Sequence, residues 1–200
     1  ATQAFAKGAR DAGAEIYRFT KVTGLEQQAD DGWKVITDKG EITCEVVVNA
    51  GGYRGGEIGE LVGQYLPVVS MSHQYLMTET IPELEARDTP IPLLRDPDDS
   101  YYLRQERGGL ILGPYEWQAT PHWLDGIPEN FAYQLYPDDL DRLEWYIESA
   151  CARVPILGSV GVQKVINGPI PYTPDGLPLI GPAHGLKNFF QCCSFSFGIS

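Results

Sequence analysis

Two acidic, glycine-ended turns, Asp30-Asp31-Gly32 and Asp38-Lys39-Gly40, cut residues 15–49 into three runs rich in β-branched and aromatic types. Glycine supplies the left-handed backbone that a tight hairpin needs, so the spacing predicts a three-stranded meander over 15–28, 33–37 and 41–49. The third run ends in Val46-Val47-Val48, which reads as a strand buried on both faces. It leads straight into Ala50-Gly51-Gly52 and Arg54-Gly55-Gly56, and residues 57–62 then have the pattern of a short helix. Ahead of the meander, Phe5, Ala9 and Ala12 share one face at spacings of four and three, and Gly13 closes a short helix.

Past Pro67 the extended pattern returns. Residues 68–78 alternate, 93–95 form a short strand, and 101–105 with 109–113 make a hairpin, so the middle of the chain reads as antiparallel sheet. A helix is expected over about 137–153: Pro137 suits a first helical position, and Asp138, Asp139 and Asp141 suit the positive helix start. Leu140, Leu143, Ile147, Cys151 and Val154 trace its apolar stripe. Pro155 ends it. A strand over 160–167, a proline-rich turn region over 168–181 and a buried strand over 189–193 follow. The fold class expected is α/β, with an α+β middle part.

Charge and composition narrow the partners. Twenty-seven acids against fifteen bases leave a formal net charge of −12, which repels phosphate and speaks against nucleic acid or an anionic membrane face. Apolar runs such as Val46-Val47-Val48 and Leu110-Ile111-Leu112 fall far short of the roughly 20 residues of a membrane span. Cys44, Cys151 and the adjacent Cys192 and Cys193 fit neither a metal knuckle nor a disulfide scaffold and read as reduced, buried thiols. The opening Ala-Thr-Gln-Ala-Phe carries no signal or transit segment and lacks a Met, as expected of a chain that has lost its true N-terminus.

Three constellations carry chemistry. The glycine-rich turn after Val48 reads either as a plain tight turn or as a backbone cradle for phosphates, although it is neither GxGxxG nor a Walker loop. His73, Tyr75 and Met77 fall on one face of a strand, and Tyr102 and Arg104 on one face of a neighbouring strand. Such a wall either orients a small ionised substrate or is a hydrogen-bonded core histidine amid cross-strand aromatic packing. His73, His122 and His184 are too far apart, and too poor in Cys or carboxylate neighbours, to suggest zinc. Residues 172–182 are the least generic stretch: their prolines and glycines hold an irregular backbone in one shape, as at the border of a ligand.

Thr173-Pro174-Asp175-Gly176-Leu177-Pro178-Leu179-Ile180-Gly181-Pro182, followed by Asn188-Phe189-Phe190 and Phe195-Ser196-Phe197-Gly198-Ile199, resembles the closing segment of FAD-dependent amine oxidoreductases of the D-amino-acid-oxidase type. Ala4-Phe5-Ala6 through Gly13-Ala14, Val22-Thr23-Gly24 and Val46-Val47-Val48-Asn49-Ala50-Gly51-Gly52 resemble that family's middle FAD-domain segment. Ser72-His73-Gln74-Tyr75-Leu76-Met77-Thr78-Glu79 is similar to its dimethylglycine and sarcosine dehydrogenase branch. The family's opening strand, GxGxxG turn and ribose-binding acid are missing, so the resemblance implies an internal piece of a longer enzyme, inactive alone. Cys192-Cys193-Ser194 departs from the small residue and glycine found in many relatives.

The resemblance implies a partial FAD-binding domain of the D-amino-acid-oxidase/glutathione-reductase type over 1–66, an antiparallel-sheet substrate domain over 67–168, and a return to the FAD domain over 169–200, with flavin and substrate meeting between them. It implies oxidation of the C–N bond of a small secondary or tertiary amino acid by hydride transfer to FAD, giving an iminium that is hydrolysed or passed to folate, with a fused folate domain in the full-length chain as one route for the latter. Val22 is implied as a backbone contact to adenine, Ala50, Gly51 and Gly52 as the turn beside the pyrophosphate, and Phe197, Gly198 and Ile199 as backbone near the flavin pyrimidine edge. His73 and Tyr102 are the expected catalytic groups, with Tyr75 and Arg104 holding a carboxylate. The alternatives are a D-amino-acid or glycine oxidase and, from another class, a non-catalytic small-molecule-binding domain. The expected location is the cytoplasm in a bacterium or the mitochondrial matrix in a eukaryote.

Overall fold

The computed structural model describes residues 2–196. It contains two compact units: residues up to Leu66 together with Leu179–Cys193, and Pro67–Pro178 together with the described residues from Ser194 on. The chain re-enters the first unit at Leu179.

In the first unit, α1 (Thr2–Asp11) buries none of its side chains, and Gly13, at φ +93°, turns the chain out of it. The meander consists of β1 (Val22–Gln27), β2 (Trp33–Thr37) and β3 (Gly40–Cys44), antiparallel and in that order. Asp31 takes the left-handed conformation in its first turn, at φ 67°, and Asp30 Oδ1 accepts the Gly32 amide at 3.1 Å. β1 starts at Val22 rather than at residue 15 because β2 offers a partner of only five residues. Trp33 is its anchor: 1% exposed, it packs on Phe189 with ring centroids 5.3 Å apart and donates from Nε1 to the Lys187 carbonyl at 3.0 Å. The expected single strand over 41–49 is two strands. Past Cys44 the chain leaves the meander, forms β4 (Val47–Asn49), and passes through the glycine-rich turn into α2 (Gly55–Glu60).

The second unit is built on β5 (Val69–Thr78), whose strict alternation buries Ser70, Ser72, Gln74, Leu76 and Thr78 on one face. After α3 (Pro82–Glu85) come β6 (Leu94–Asp96), β7 (Tyr101–Glu106), β8 (Gly109–Pro114) and β9 (Pro121–His122), then α4 (Glu144–Arg153) and β10 (Val162–Tyr172). The sheet order is β10-β5-β8-β7-β6, with β9 also pairing β5, and every pairing is antiparallel. Leu143, Tyr146 and Ala150 pack with Leu76, Tyr101, Leu103 and Leu112 to form the core.

Two expectations for this unit are corrected. Residues 137–140 are not helical, and a single 3-10 turn over Asp141–Leu143 leads into α4. Gln74 holds that approach open, donating from Nε2 to the Asp139 carbonyl at 2.9 Å and accepting the Asp139 amide at 2.8 Å. The buried stripe accordingly runs through Leu143, Tyr146 and Ala150, while Leu140 stays exposed. The second correction concerns β10, which continues through Pro169 and Pro171 where a turn was expected from residue 168. As the edge strand of its sheet it tolerates residues that lack an N–H.

The return to the first unit adds β11 (Leu179–Pro182) and β12 (Phe189–Cys193), in the order β11-β12-β4, with β12 parallel to β4. Val46 and Val48 are 47% and 55% exposed, whereas Asn49 is buried. The valine strand, expected to be buried on both faces, is therefore covered on one. Among the described residues β4 has a strand neighbour on one edge only. All four cysteines are free thiols; Cys193 is buried, while Cys44, Cys151 and Cys192 are only half-buried, contrary to expectation. No helix among the described residues is long and apolar enough to cross a membrane.

Candidate active site

His73, Tyr75 and Met77 lie on the face of β5 that points away from the core. Tyr102 was expected on a neighbouring strand, but β8 lies between β5 and β7. Its ring crosses that strand because its cross-strand partner is Gly113. A Cβ at Gly113 would stand 2.1 Å from Tyr102 Cζ and 2.4 Å from its hydroxyl oxygen, so only glycine accommodates the ring. On the other side, His73 stands opposite Gly168 of β10, and Tyr172 lies on the same face further along that strand.

His73, Tyr75 and Tyr102 line one cavity of 780 Å³ with Arg95, Tyr115 and Tyr172, a volume within the range of small-ligand sites. The Arg95 guanidinium lies 5.2 Å from the centroid of the Tyr115 ring, and the Tyr102 and Tyr115 rings are 6.0 Å apart. Arg104 shares the Tyr102 face as expected, but it is exposed, is not part of the lining, and pairs with Glu106 at 2.6 Å. The cation that the cavity presents is Arg95. A hollow of similar size on the meander, 790 Å³, is lined mainly by polar and acidic residues such as Gln28, Asp30 and Glu45 and brings together no imidazole, phenol or guanidinium.

Behind His73 lies a buried polar network. β5 pairs with β8 at Leu76 and Met77 and with β9 at Ser70 and Met71, which leaves the Gln74 amide between the two pairings. The carboxylate of Glu116, with its side chain 2% exposed, fills that gap and accepts from the Gln74 amide at 3.1 Å and from Gln74 Nε2 at 3.2 Å. Arg142 Nη2 donates to both Glu116 oxygens at 3.2 and 3.3 Å, while its Nη1 donates to Ser72 Oγ at 2.7 Å and Thr120 Oγ1 at 3.2 Å. His73 Nδ1 lies 3.4 Å from Glu116 Oε2, and its Nε2 is 3.1 Å from the Tyr172 hydroxyl. Burial pushes the His73 pKa down, Glu116 pulls it back up, and Arg142 pushes it down again. Burial also raises the Tyr102 and Tyr172 phenols, the latter with help from Glu116. At neutral pH the site thus presents an uncharged imidazole among protonated phenols.

Glu116, Arg142, Tyr172 and Arg95 escape the sequence reading. Carrying the period-two alternation of β10 through its prolines brings Tyr172 onto the His73 face. No local pattern marks Glu116 or Arg142, whose pairing spans 26 positions.

The glycine-rich turn is shaped from below by Asn49, 2% exposed. Asn49 Nδ2 donates to the Gly55 carbonyl and to Gln191 Oε1, both at 2.9 Å, and its Oδ1 accepts the Gly51 amide at 3.1 Å. Gly52 adopts φ +58°, and a Cβ on Gly55 would meet Cys193 Sγ at 2.9 Å. Ala50 and Gly51 are exposed, and Val22, at the start of β1, is half-buried. Phe197, Gly198 and Ile199 lie outside the described residues.

The family described as FAD dependent oxidoreductase (DAO) matches residues 1–199. The chain is 40% identical over 203 residues to the mitochondrial dimethylglycine dehydrogenase of Mus musculus, covering 99% of this chain and 23% of that protein. It is 35% identical over 189 residues to the mitochondrial sarcosine dehydrogenase of Mus musculus, covering 92% and 20%. Among solved structures it is similar to L-proline dehydrogenase from P. horikoshii, with a TM-score of 0.77 and 26% identity, covering 98% of this chain and 49% of that one. It therefore spans less than a quarter of the length of these two curated relatives.

Proposed function

We propose, from the premise that this chain belongs to the DAO family of FAD-dependent oxidoreductases, that the intact protein oxidises a C–N bond of a small N-methylated amino acid of the dimethylglycine or sarcosine type. The observation that carries this reading is the convergence of an imidazole, four phenols and one guanidinium on a single cavity of 780 Å³. Arg95 pairs with the substrate carboxylate, and the rings of Tyr75, Tyr102 and Tyr115 surround its methylated nitrogen and limit the entry of water. His73 takes a proton from the substrate ammonium, which frees the nitrogen lone pair needed for oxidation. Bound FAD supplies the two-electron acceptor. Ala50, Gly51 and Gly52 fit its pyrophosphate because the turn is exposed above and fixed from beneath by Asn49; Val22, with Phe197, Gly198 and Ile199, completes the proposed contacts. The glycine-rich pyrophosphate turn of the FAD domain, and a folate domain if the one-carbon unit is captured, belong to the rest of the protein.

Rapid mixing of the intact flavoprotein with dimethylglycine tests this. His73→Ala and Tyr102→Phe are expected to slow flavin bleaching, the former by about 10²–10⁴-fold, with flavin content nearly unchanged. Wild-type rates in both variants overturn the assignment and leave a structural histidine and a packing tyrosine.

A further inference from the structure

We infer that Glu116 is a positioning residue for His73: paired with Arg142, it fixes which imidazole nitrogen carries hydrogen and tunes how readily the ring takes a proton from the cavity. The inference rests on the reading of His73 as the proton acceptor. A carboxylate with 2% of its side chain exposed is costly to bury unless it is fully paired. Three hydrogen-bonding groups meet that need: the Gln74 amide, the Gln74 side chain and the Arg142 guanidinium. His73 is a fourth neighbour and is not required to satisfy the charge. Its ring is nevertheless set with Nδ1 3.4 Å from Glu116 Oε2.

An ionised carboxylate has no hydrogen to donate and repels a nitrogen lone pair, so Nδ1 is the nitrogen that carries hydrogen in the neutral ring. The lone pair is then on Nε2, where the Tyr172 hydroxyl meets it at 3.1 Å. In the proposed transfer the substrate N–H bond breaks, its electron pair stays on the substrate nitrogen, and a new N–H bond forms at Nε2. The proton arrives either directly or through Tyr172, which gives up its own proton and takes the substrate's. The imidazolium that results faces Glu116, which stabilises it, and Arg142, which opposes it. The other ionisable groups around the ring are Tyr172 on β10 and Tyr75, Tyr102, Tyr115 and Arg95 in the cavity.

The two partners of one ion pair should therefore act on His73 with opposite sign. The test is the pH dependence of flavin bleaching by dimethylglycine in the intact protein, for Glu116→Gln and Arg142→Gln, each alone and combined with His73→Asn. The acidic limb is expected to move to lower pH in Glu116→Gln, by about one pH unit, and to higher pH in Arg142→Gln. Neither substitution should move it in the His73→Asn background. Limbs that stay put, or that move in the same direction in both variants, overturn the inference, as do shifts that persist without His73. Should one variant fail to fold, the sign of the other still decides. A His73→Asn protein with the wild-type rate and limb instead sinks the reading of His73 as the base, and is recognised by that result alone.

Discussion

The second unit encloses charge: the Glu116 carboxylate is buried with Arg142 as its partner, and Asp96 is buried at the end of β6, paired with the exposed Arg153. The first unit does the reverse and leaves Val46, Val48 and Ile180 on its surface, the two valines at β4, whose outer edge no described strand covers. Chemistry and stability are thus distributed differently. Buried ion pairs contribute little net stability but fix the geometry of what they touch, here His73. An exposed apolar strand contributes little to its own unit and presents a surface that another element can cover.

The largest test of this contrast is Glu116→Ala, which takes the buried carboxylate away from the Gln74 amide and from Arg142 and leaves the guanidinium only the more exposed Asp139 as a charged partner, at 3.7 Å. A loss of about 3–5 kcal/mol in denaturant unfolding is expected. Leu143→Ala, at a fully buried site in the core under the sheet, should cost about 3 kcal/mol by the same measurement. A smaller effect follows from pH. Burial holds the folded His73 below its ordinary value of 6.5, so between the two values the unfolded chain binds the proton more readily. This contribution to stability is complete above pH 6.5 and is lost as pH falls through the lowered folded value. Unfolding midpoints measured down that range should fall less steeply in His73→Gln than in the wild type. Least of all, Val48→Ser in the 200-residue chain should change stability by no more than about 0.5 kcal/mol. The same chain should bind a hydrophobic dye through its open valine strand, and a cost above about 1 kcal/mol for Val48→Ser would show that the strand is already buried.

What could be read in the sequence follows the same division. The β7–β8 hairpin and the alternation of β5 were legible because period two and a Gly-bearing turn are local properties. They placed His73 and Tyr75 on one face of β5 and Tyr102 on β7, but that the Tyr102 ring crosses β8 to join them depends on Gly113, which parity does not show. The departure of β4 from the meander was not legible, since Val46-Val47-Val48 looks the same whether one face is covered or two. Pro169 and Pro171 suggested a turn because the tolerance of an edge strand depends on where that strand sits in the sheet. Arg104 had the right parity but sits too far along β7, and Arg95 was hidden on a strand of three residues. Glu116 and Arg142 meet only through the tertiary fold, which no spacing rule encodes.

Arg95 most directly tests whether the proposed cavity of the second unit receives an amino acid by its carboxylate. Flavin bleaching by dimethylglycine should be titrated in the intact protein for the wild type, Arg95→Ala and Arg104→Ala. Losing a charge-assisted pair of about 1.5–3 kcal/mol should raise the half-saturating concentration in Arg95→Ala by at least about tenfold. The limiting rate should change far less, and Arg104→Ala should titrate like the wild type. A wild-type titration for Arg95→Ala, or a loss confined to Arg104→Ala, would contradict the account.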